Sequence, residues 1–354
     1  MRNFGPYLRQ HIPSIYFFLV TVLNAFKKSV RPYSIYITDS LGGSFKEYFI
    51  KSDMTSKISD LKRGLDKEST DIIDVIMQRL THYPDEKYKH RISKREPIIG
   101  GLLPIETEIT KSIIEKELKS KRRNLKFPGK HVGESVFYFQ HGIRNLPGEV
   151  ADYIRNHDFI DAGAFIGDSA IALNEHSYKK IFSIEISRKS IEKYKENMAG
   201  NNIMPDKYEL INAGIAANDQ EPPVKTSDTG SSGFSLLRKS GKYDEIFIRK
   251  RSIDNIAAEY DISPRFIKVD IEGYGLEFVK GAERTLKAFR PVLSIAVYHN
   301  PYEFFEIKPM LEGLLNDYIF MIRKLATGIE NNLCHSEIIL LGYPKEILTG
   351  KEHH

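Results

Sequence analysis

The sequence predicts an α/β protein: a doubly wound, mostly parallel sheet of seven strands, preceded by a mainly helical N-terminal region. Three observations carry this. From residue 158 onward, short apolar runs alternate with helix-length amphipathic stretches, the pattern of a parallel sheet covered on both faces. The run DFIDAGAFIGDS (158–169) reads as a buried strand, a tight glycine turn and a helix start. Residues 1–133 show helical periodicity and charged loops instead, so a division is expected between 1–133 and 134–354.

Taken in order, the chain has its most apolar stretch at 12–26, IPSIYFFLVTVLNAF. This is shorter than the roughly 20 residues a membrane span needs. Arg2 and Arg9 precede it as they would a signal peptide, but Lys27, Lys28 and Arg31 follow where a small-x-small cleavage site would stand. A buried helix is the first reading and a helix lying on a membrane surface the second. Residues 33–52 read as irregular strand with a turn at Gly42 and Gly43. The spacing of Ile72, Ile73, Ile76 and Leu80 predicts a helix from Lys67 to Tyr83, capped by Asp66. Residues 84–104, charged and then rich in Pro and Gly, read as a loop. A further helix is expected over 105–123 with Ile105, Ile109, Ile113 and Leu118 on its apolar side. Its terminal KSKRR (119–123) puts cations where the helix dipole favours them. ESVFYFQ (134–140) reads as a strand, and the following residues as a turn and a helix with Pro147 near its first turn.

The expected sheet strands are 158–162, 180–186, 207–213, 265–271, 291–298, 317–323 and 336–342. The expected helices among them are 167–175, 188–199, 252–259, 275–289 and 303–315. Residues 219–250 break this rhythm with polar turns and a β-excursion. In such sheets ligands bind at the carboxyl ends of the strands, where the strand order reverses.

Chemistry-bearing residues gather at those ends. Gly163 and Gly167 stand as Gly-x-x-x-Gly, not as the Gly-x-Gly-x-x-Gly whose N–H groups wrap a pyrophosphate. S-adenosylmethionine (SAM) has no phosphate and needs instead a carboxylate for its amino group, which Asp161 is placed to serve through water. Glu185 ends the second strand 24 residues after Asp161, where an acid binds both ribose hydroxyls. In RFIKVDIEGYG (265–275), Lys268, Asp270 and Glu272 alternate onto one side of the strand, so their charges would tune one another. The fifth strand exits at Tyr298 and His299, and the histidine is a candidate general base near neutral pH. The spacing of Asp270, Glu272 and His299 does not demand a metal, and none is expected.

Composition bounds the rest. A chain of 354 residues with 41% hydrophobic content suits a soluble globular protein. The single cysteine, Cys334, excludes a disulfide framework and a cysteine zinc site and fits a reducing cytoplasm. The net charge of +5 is lopsided: Lys and Arg outnumber Asp and Glu in residues 1–130, and the reverse holds afterwards. The basic part could face a glycan, lipid headgroups or nucleic acid, although a solvated helical surface explains it too.

Together, DFIDAGAFIGDS, FSIEIS, INAGIA, FIKVDIEGYGLEFVKGAE and PVLSIAVYHNPYEFFEI resemble the FkbM family of SAM-dependent methyltransferases, over roughly 135–343. The resemblance implies a class I methyltransferase fold and methylation of a hydroxyl on a sugar, glycan or related small metabolite. By matched position it puts Asp161, Gly163 and Gly167 on the methionine side, with Ala164, Phe165, Asp168 and Ser169 of the same turn. It puts Glu185 and Ile186 at the ribose, Asn212 and Ala213 near the adenine, and Asp270 and Glu272 at the methyl and the acceptor. Two departures stand out: Gly275 occupies a position where the family usually has Glu, and Tyr298–His299 replaces its common Glu after the fifth strand. The rival readings are an NAD-dependent oxidoreductase, which the glycine spacing opposes, and a non-catalytic SAM- or glycan-binding scaffold. Nucleic-acid methylation is not expected, because the Asn/Asp-Pro-Pro-Tyr motif for base nitrogens is absent.

Overall fold

A computed structural model describes residues 34–37, 42–81, 90–93, 100–127, 132–228, 245–328 and 337–350. The apolar stretch at 12–26 lies outside these. Among the described residues no helix is long and apolar enough to cross a membrane.

The seven strands fall close to their expected places: β1 (Asp158–Ala162), β2 (Ile181–Ile184), β3 (Tyr208–Ile211), β4 (Pro264–Val269), β5 (Val292–Ala296), β6 (Tyr318–Lys324) and β7 (Ile338–Pro344). Their order across the sheet is β3-β2-β1-β4-β5-β7-β6, with β7 antiparallel to both neighbours and all other pairings parallel. The order reverses between β1 and β4, so the carboxyl ends of these two strands flank the crevice. Period-2 alternation divides the apolar side chains between two cores. Ile160, Ala162, Ile267 and Val269 face one, and Phe159 and Phe266 the other. Asp161 and Lys268 also alternate, and they stand opposite each other in register on β1 and β4.

Helices α1 (Gly42–Lys51), α2 (Met54–Lys62), α3 (Lys67–Thr81) and α4 (Glu108–Asn124) precede the sheet, and α5 (Gly148–Tyr153) leads into it. Helices α6 (Asp168–Leu173), α7 (Arg188–Gly200), α8 (Ile253–Glu259), α9 (Gly275–Gly281), α10 (Glu283–Phe289) and α11 (Pro301–Leu314) connect the strands, and α12 (Glu346–Thr349) follows β7. The early helices share a core with the sheet: Tyr48 stacks on Phe305 with ring centroids 5.3 Å apart, and Phe45 meets Phe304 edge-on. Helix α3 covers the edge strand β6. The Ile322 N–H donates to Ser69 Oγ (2.8 Å), and Arg323 grips Asp66 with two nitrogens at 2.6 and 3.2 Å. Asp66 also caps α3 by accepting from the Ser69 N–H at 2.8 Å, as its sequence position implies.

Several expectations change. Residues 134–138 form a wide helical turn, closed by the Phe139 N–H on the Glu134 carbonyl (2.9 Å), not a strand. Packing overrides local β-propensity here: Phe137 and Phe139 join the core beside α4 and α6, which a turn achieves and an unpaired strand would not. Residues 42–51 are helical, and His90–Ser93 pairs antiparallel with Ser34–Ile37 inside the region read as a loop. On α4 the buried residues are Ile114 and Leu118, while Ile109 and Ile113 are exposed. The single helix expected over 275–289 is two helices, because Arg284 and Thr285 donate their N–H groups to Asp254 and begin a second one. The basic end of α4 holds the chain after it: Lys121 donates to the Phe137 carbonyl (2.8 Å) and Arg122 to that of Val132 (3.1 Å). The β-excursion is present as Val224–Ser227 paired with Glu245–Ile248.

Candidate active site

At the exit of β1 the backbone must turn within one residue. Gly163 does so at φ +85°, and a Cβ there would lie 1.8 Å from the Asp270 carbonyl oxygen, so only glycine fits between β1 and β4. The turn is fixed from three sides. The Gly163 and Ala164 N–H groups donate to the Ile184 carbonyl (3.0 and 3.1 Å), and Lys268 Nζ donates to the Gly163 carbonyl (2.7 Å). Phe165 follows in the left-handed region, and its N–H donates to Glu185 Oε2 (2.7 Å).

A cleft of about 390 Å³ opens beside this turn. It is lined by Gly163, Phe165, Asp168 and Ser169 from the turn and the start of α6, by Lys268, Asp270 and Glu272 from β4 and its exit, and by His141, Tyr298 and Glu337. Asp270, Glu272 and His299 come together at the ends of β4 and β5: His299 Nε2 lies 3.2 Å from Asp270 Oδ1 and 3.8 Å from Glu272 Oε1. Glu303 stands behind them, its Oε2 3.3 Å from His299 Nδ1 and its Oε1 accepting from the Gly275 N–H at 2.7 Å. The departure at Gly275 thereby has a physical reason, since a Cβ there would lie 2.7 Å from Glu303 Oε1. Gly275 and the Tyr298–His299 ending belong together: the first makes room for the acid that orients the second.

The electrostatics divide these groups. Burial opposes the charge on Lys268, yet Asp161 (2.9 Å) and Asp270 keep its pKa raised, so it is a fixed cation and no base. Burial likewise opposes ionisation of Asp270, but His299 and Lys268 hold its carboxyl well below the ordinary range. His299 is raised well above its ordinary value, against burial, by Asp270 and Glu303. Burial pushes Asp168 up to about 6 and Glu185 up to about 7.

The sequence-predicted residues do not all reach the cleft. Asp161 is fully buried behind it and spends its charge on Lys268, so it supports the turn from below. Lys268 likewise braces the turn and is not a reacting group. Ala164 is buried, and Gly167 forms the left-handed start of α6. Glu185 sits on the other side of the turn, with Ile186 next to it, and also accepts from the Ser187 N–H at 2.7 Å. Asn212 turns its amide back onto the Glu185 and Ile186 carbonyls (2.8 and 3.1 Å), and Ala213 is buried beside it. Sequence reasoning missed His141 and Glu337. Burial holds His141 far down, at about 3, and its Nε2 has no hydrogen-bond partner. It sits in a run of three positive-φ residues, Gln140 to Gly142, that no local signal except Gly142 announces. Burial and the charge of Asp270 push Glu337 up to about 7.

A crevice at the β1/β4 reversal, in a sheet ordered 3-2-1-4-5-7-6 with an antiparallel seventh strand, defines a class I methyltransferase fold. Residues 161–327 match the family model described as the methyltransferase FkbM domain. Its fold is similar to that of methyltransferase FkbM from Methylobacillus flagellatus KT, with a TM-score of 0.53 and 17% identity over 85% of this chain. The match spans 61% of the length of that structure. An O-methyltransferase from Bacillus cereus in complex with SAH matches 69% of this chain and 94% of its own, at 12% identity and a TM-score of 0.37. A rRNA methylase from Streptococcus thermophilus matches 58% and 94%, at 13% identity and 0.38. No curated protein matches the chain.

Proposed function

We propose that this protein is a SAM-dependent O-methyltransferase whose acceptor is a hydroxyl of a sugar, glycan or related small metabolite. The observation that carries this is that Asp270 and Glu272, with His299 Nε2 at 3.2 and 3.8 Å from their carboxylates, line one cleft with the Gly163 turn. SAM fits the residues present: the Gly163 cradle admits no Cβ, and the cleft lining is acidic where the cofactor is cationic. When bound, SAM supplies a methyl group on a sulfonium sulfur, which is already a good leaving group. The chain has therefore mainly to orient, and orientation alone is worth about 7–11 kcal/mol. Gly163, Phe165, Asp168 and Ser169 would hold the methionine end and Glu185 the ribose. Asp270, Glu272 and His299 would align the acceptor hydroxyl, whose proton would pass to a carboxylate of the cleft or to water as the ether forms. Acidic lining also favours a neutral polyol over a phosphate-bearing acceptor, because Asp168, Asp270, Glu272 and Glu337 would repel one.

Calorimetric titration with SAM, with NAD as the control, tests the cofactor. Micromolar SAM binding without NAD binding is expected, and absence of SAM binding would overturn the reading. The raised pKa of His299 makes it an orienting group and not the general base its place after the fifth strand suggests, so His299→Ala is expected to keep SAM affinity while transfer to a sugar acceptor falls about 10²-fold, the loss a misplaced acceptor causes.

A further inference from the structure

Asp270 and Glu272 line the cleft, and His299 stands beside them. One oxygen or nitrogen from each lies within 4.8 Å of the other two. The two separations to the imidazole, 3.2 and 3.8 Å, suit donors of a single coordination sphere. With bonds of about 2.1 Å, octahedral neighbours stand about 3.0 Å apart and opposed donors about 4.2 Å. His299 is 8% exposed, and neither its Nε2 nor the buried Asp270 Oδ1 makes a hydrogen bond. Glu272 is held at φ +52°, a conformation a non-glycine residue adopts rarely, on the loop that brings it beside His299. Behind the imidazole, Glu303 is 1% exposed, anchored on the Gly275 N–H, and 3.3 Å from Nδ1. A carboxylate on the far nitrogen is the outer-shell partner that fixes a ligating histidine with Nε2 free for a metal.

We propose that Asp270, Glu272 and His299 form a site for one six-coordinate divalent cation of the Mg²⁺ or Mn²⁺ type, with Glu303 as the positioning residue of the histidine. The set contains no sulfur, and two carboxylates with one imidazole suit Mn²⁺ above soft or square-planar ions. Three protein ligands leave three positions toward the cleft. Two adjacent hydroxyls of a sugar can occupy two of them, so the acceptor class narrows to a vicinal diol. A cation there orients the acceptor oxygen and lowers its pKa. The acceptor part rests on the methyltransferase reading; the cation site itself does not.

The test is Mn²⁺ titration of chelator-stripped full-length protein, read by electron paramagnetic resonance without SAM, with SAM calorimetry run separately in EDTA. One Mn²⁺ per chain is expected, displaced by Mg²⁺. Glu272→Gln and His299→Ala should each weaken it at least tenfold, and Glu303→Gln by about 10–100-fold. Wild-type protein that takes up no Mn²⁺ at millimolar concentration would overturn the site and leave an imidazolium held among carboxylates in its place. So would Mn²⁺ uptake that Glu272→Gln and His299→Ala both leave unchanged. Failure to bind SAM in EDTA or with Mn²⁺ would sink the methyltransferase reading alone, because the resonance signal is recorded without it.

Discussion

Asp161 shows why a residue's type and place along a strand do not settle its role. Its position near the end of β1 marked it for the cofactor, yet in three dimensions it is fully buried opposite Lys268. Asp161→Ala removes the nearest counter-charge of buried Lys268, which keeps Asp270 and the Gly163 carbonyl, and is expected to cost about 1–3 kcal/mol in urea unfolding. A loss below 1 kcal/mol in Asp161→Ala would contradict the bracing role. Glu185 gives a pH signature. Burial raises it to about 7 from an ordinary 4.5, so its contribution to the stability of the free protein is complete below the ordinary value and is lost as pH rises through 7. Ribose hydroxyls favour the charged carboxylate, so SAM affinity should move the other way, about tenfold weaker at pH 6 than at pH 8. Calorimetry across that range should find the slope in the wild type and none in Glu185→Gln.

At the scale of elements, the parallel strands were legible because each is a short apolar run bounded by turn residues, and burial on both faces demands that composition. The glycine turn was legible because the close approach of β1 and β4 leaves no room for a side chain at Gly163. The segment 134–145 was not. Its aromatic residues have strand propensity, and the reason they coil is the space between α4, α6 and β5, where Ser294 donates to the His141 carbonyl at 2.6 Å. Glu337 was likewise invisible, since only the antiparallel return of β7 brings it to the cleft. The α3–β6 contact makes its own prediction. Ser69→Ala deprives the Ile322 N–H of its buried acceptor and should cost about 1–3 kcal/mol in stability while SAM affinity stays unchanged. Weakened SAM binding would instead mean that α3 communicates with the cleft.

For the molecule as a whole, the uneven charge of the sequence is partly resolved by pairing. In the early helices Lys57 meets Glu306, Arg63 meets Glu312, and Arg79 with Lys324 encloses Glu106 in a buried cluster. What remains concentrated is the acidic lining of the cleft. SAM carries a net positive charge and SAH none, so raising salt from 0.05 to 0.5 M should weaken SAM several-fold and leave SAH nearly unchanged. Equal salt responses would show that the lining does not steer the cofactor.

The cover that α3 lays over β6 bears on how the protein can be handled. A fragment beginning at residue 133 contains every residue that lines the cleft, but it leaves the outermost strand uncovered and Phe304 and Phe305 without Phe45 and Tyr48. An uncovered, apolar strand edge is a template for pairing with its like. The fragment should therefore accumulate as aggregate rather than as a smaller working enzyme, and screening for acceptors requires the whole chain.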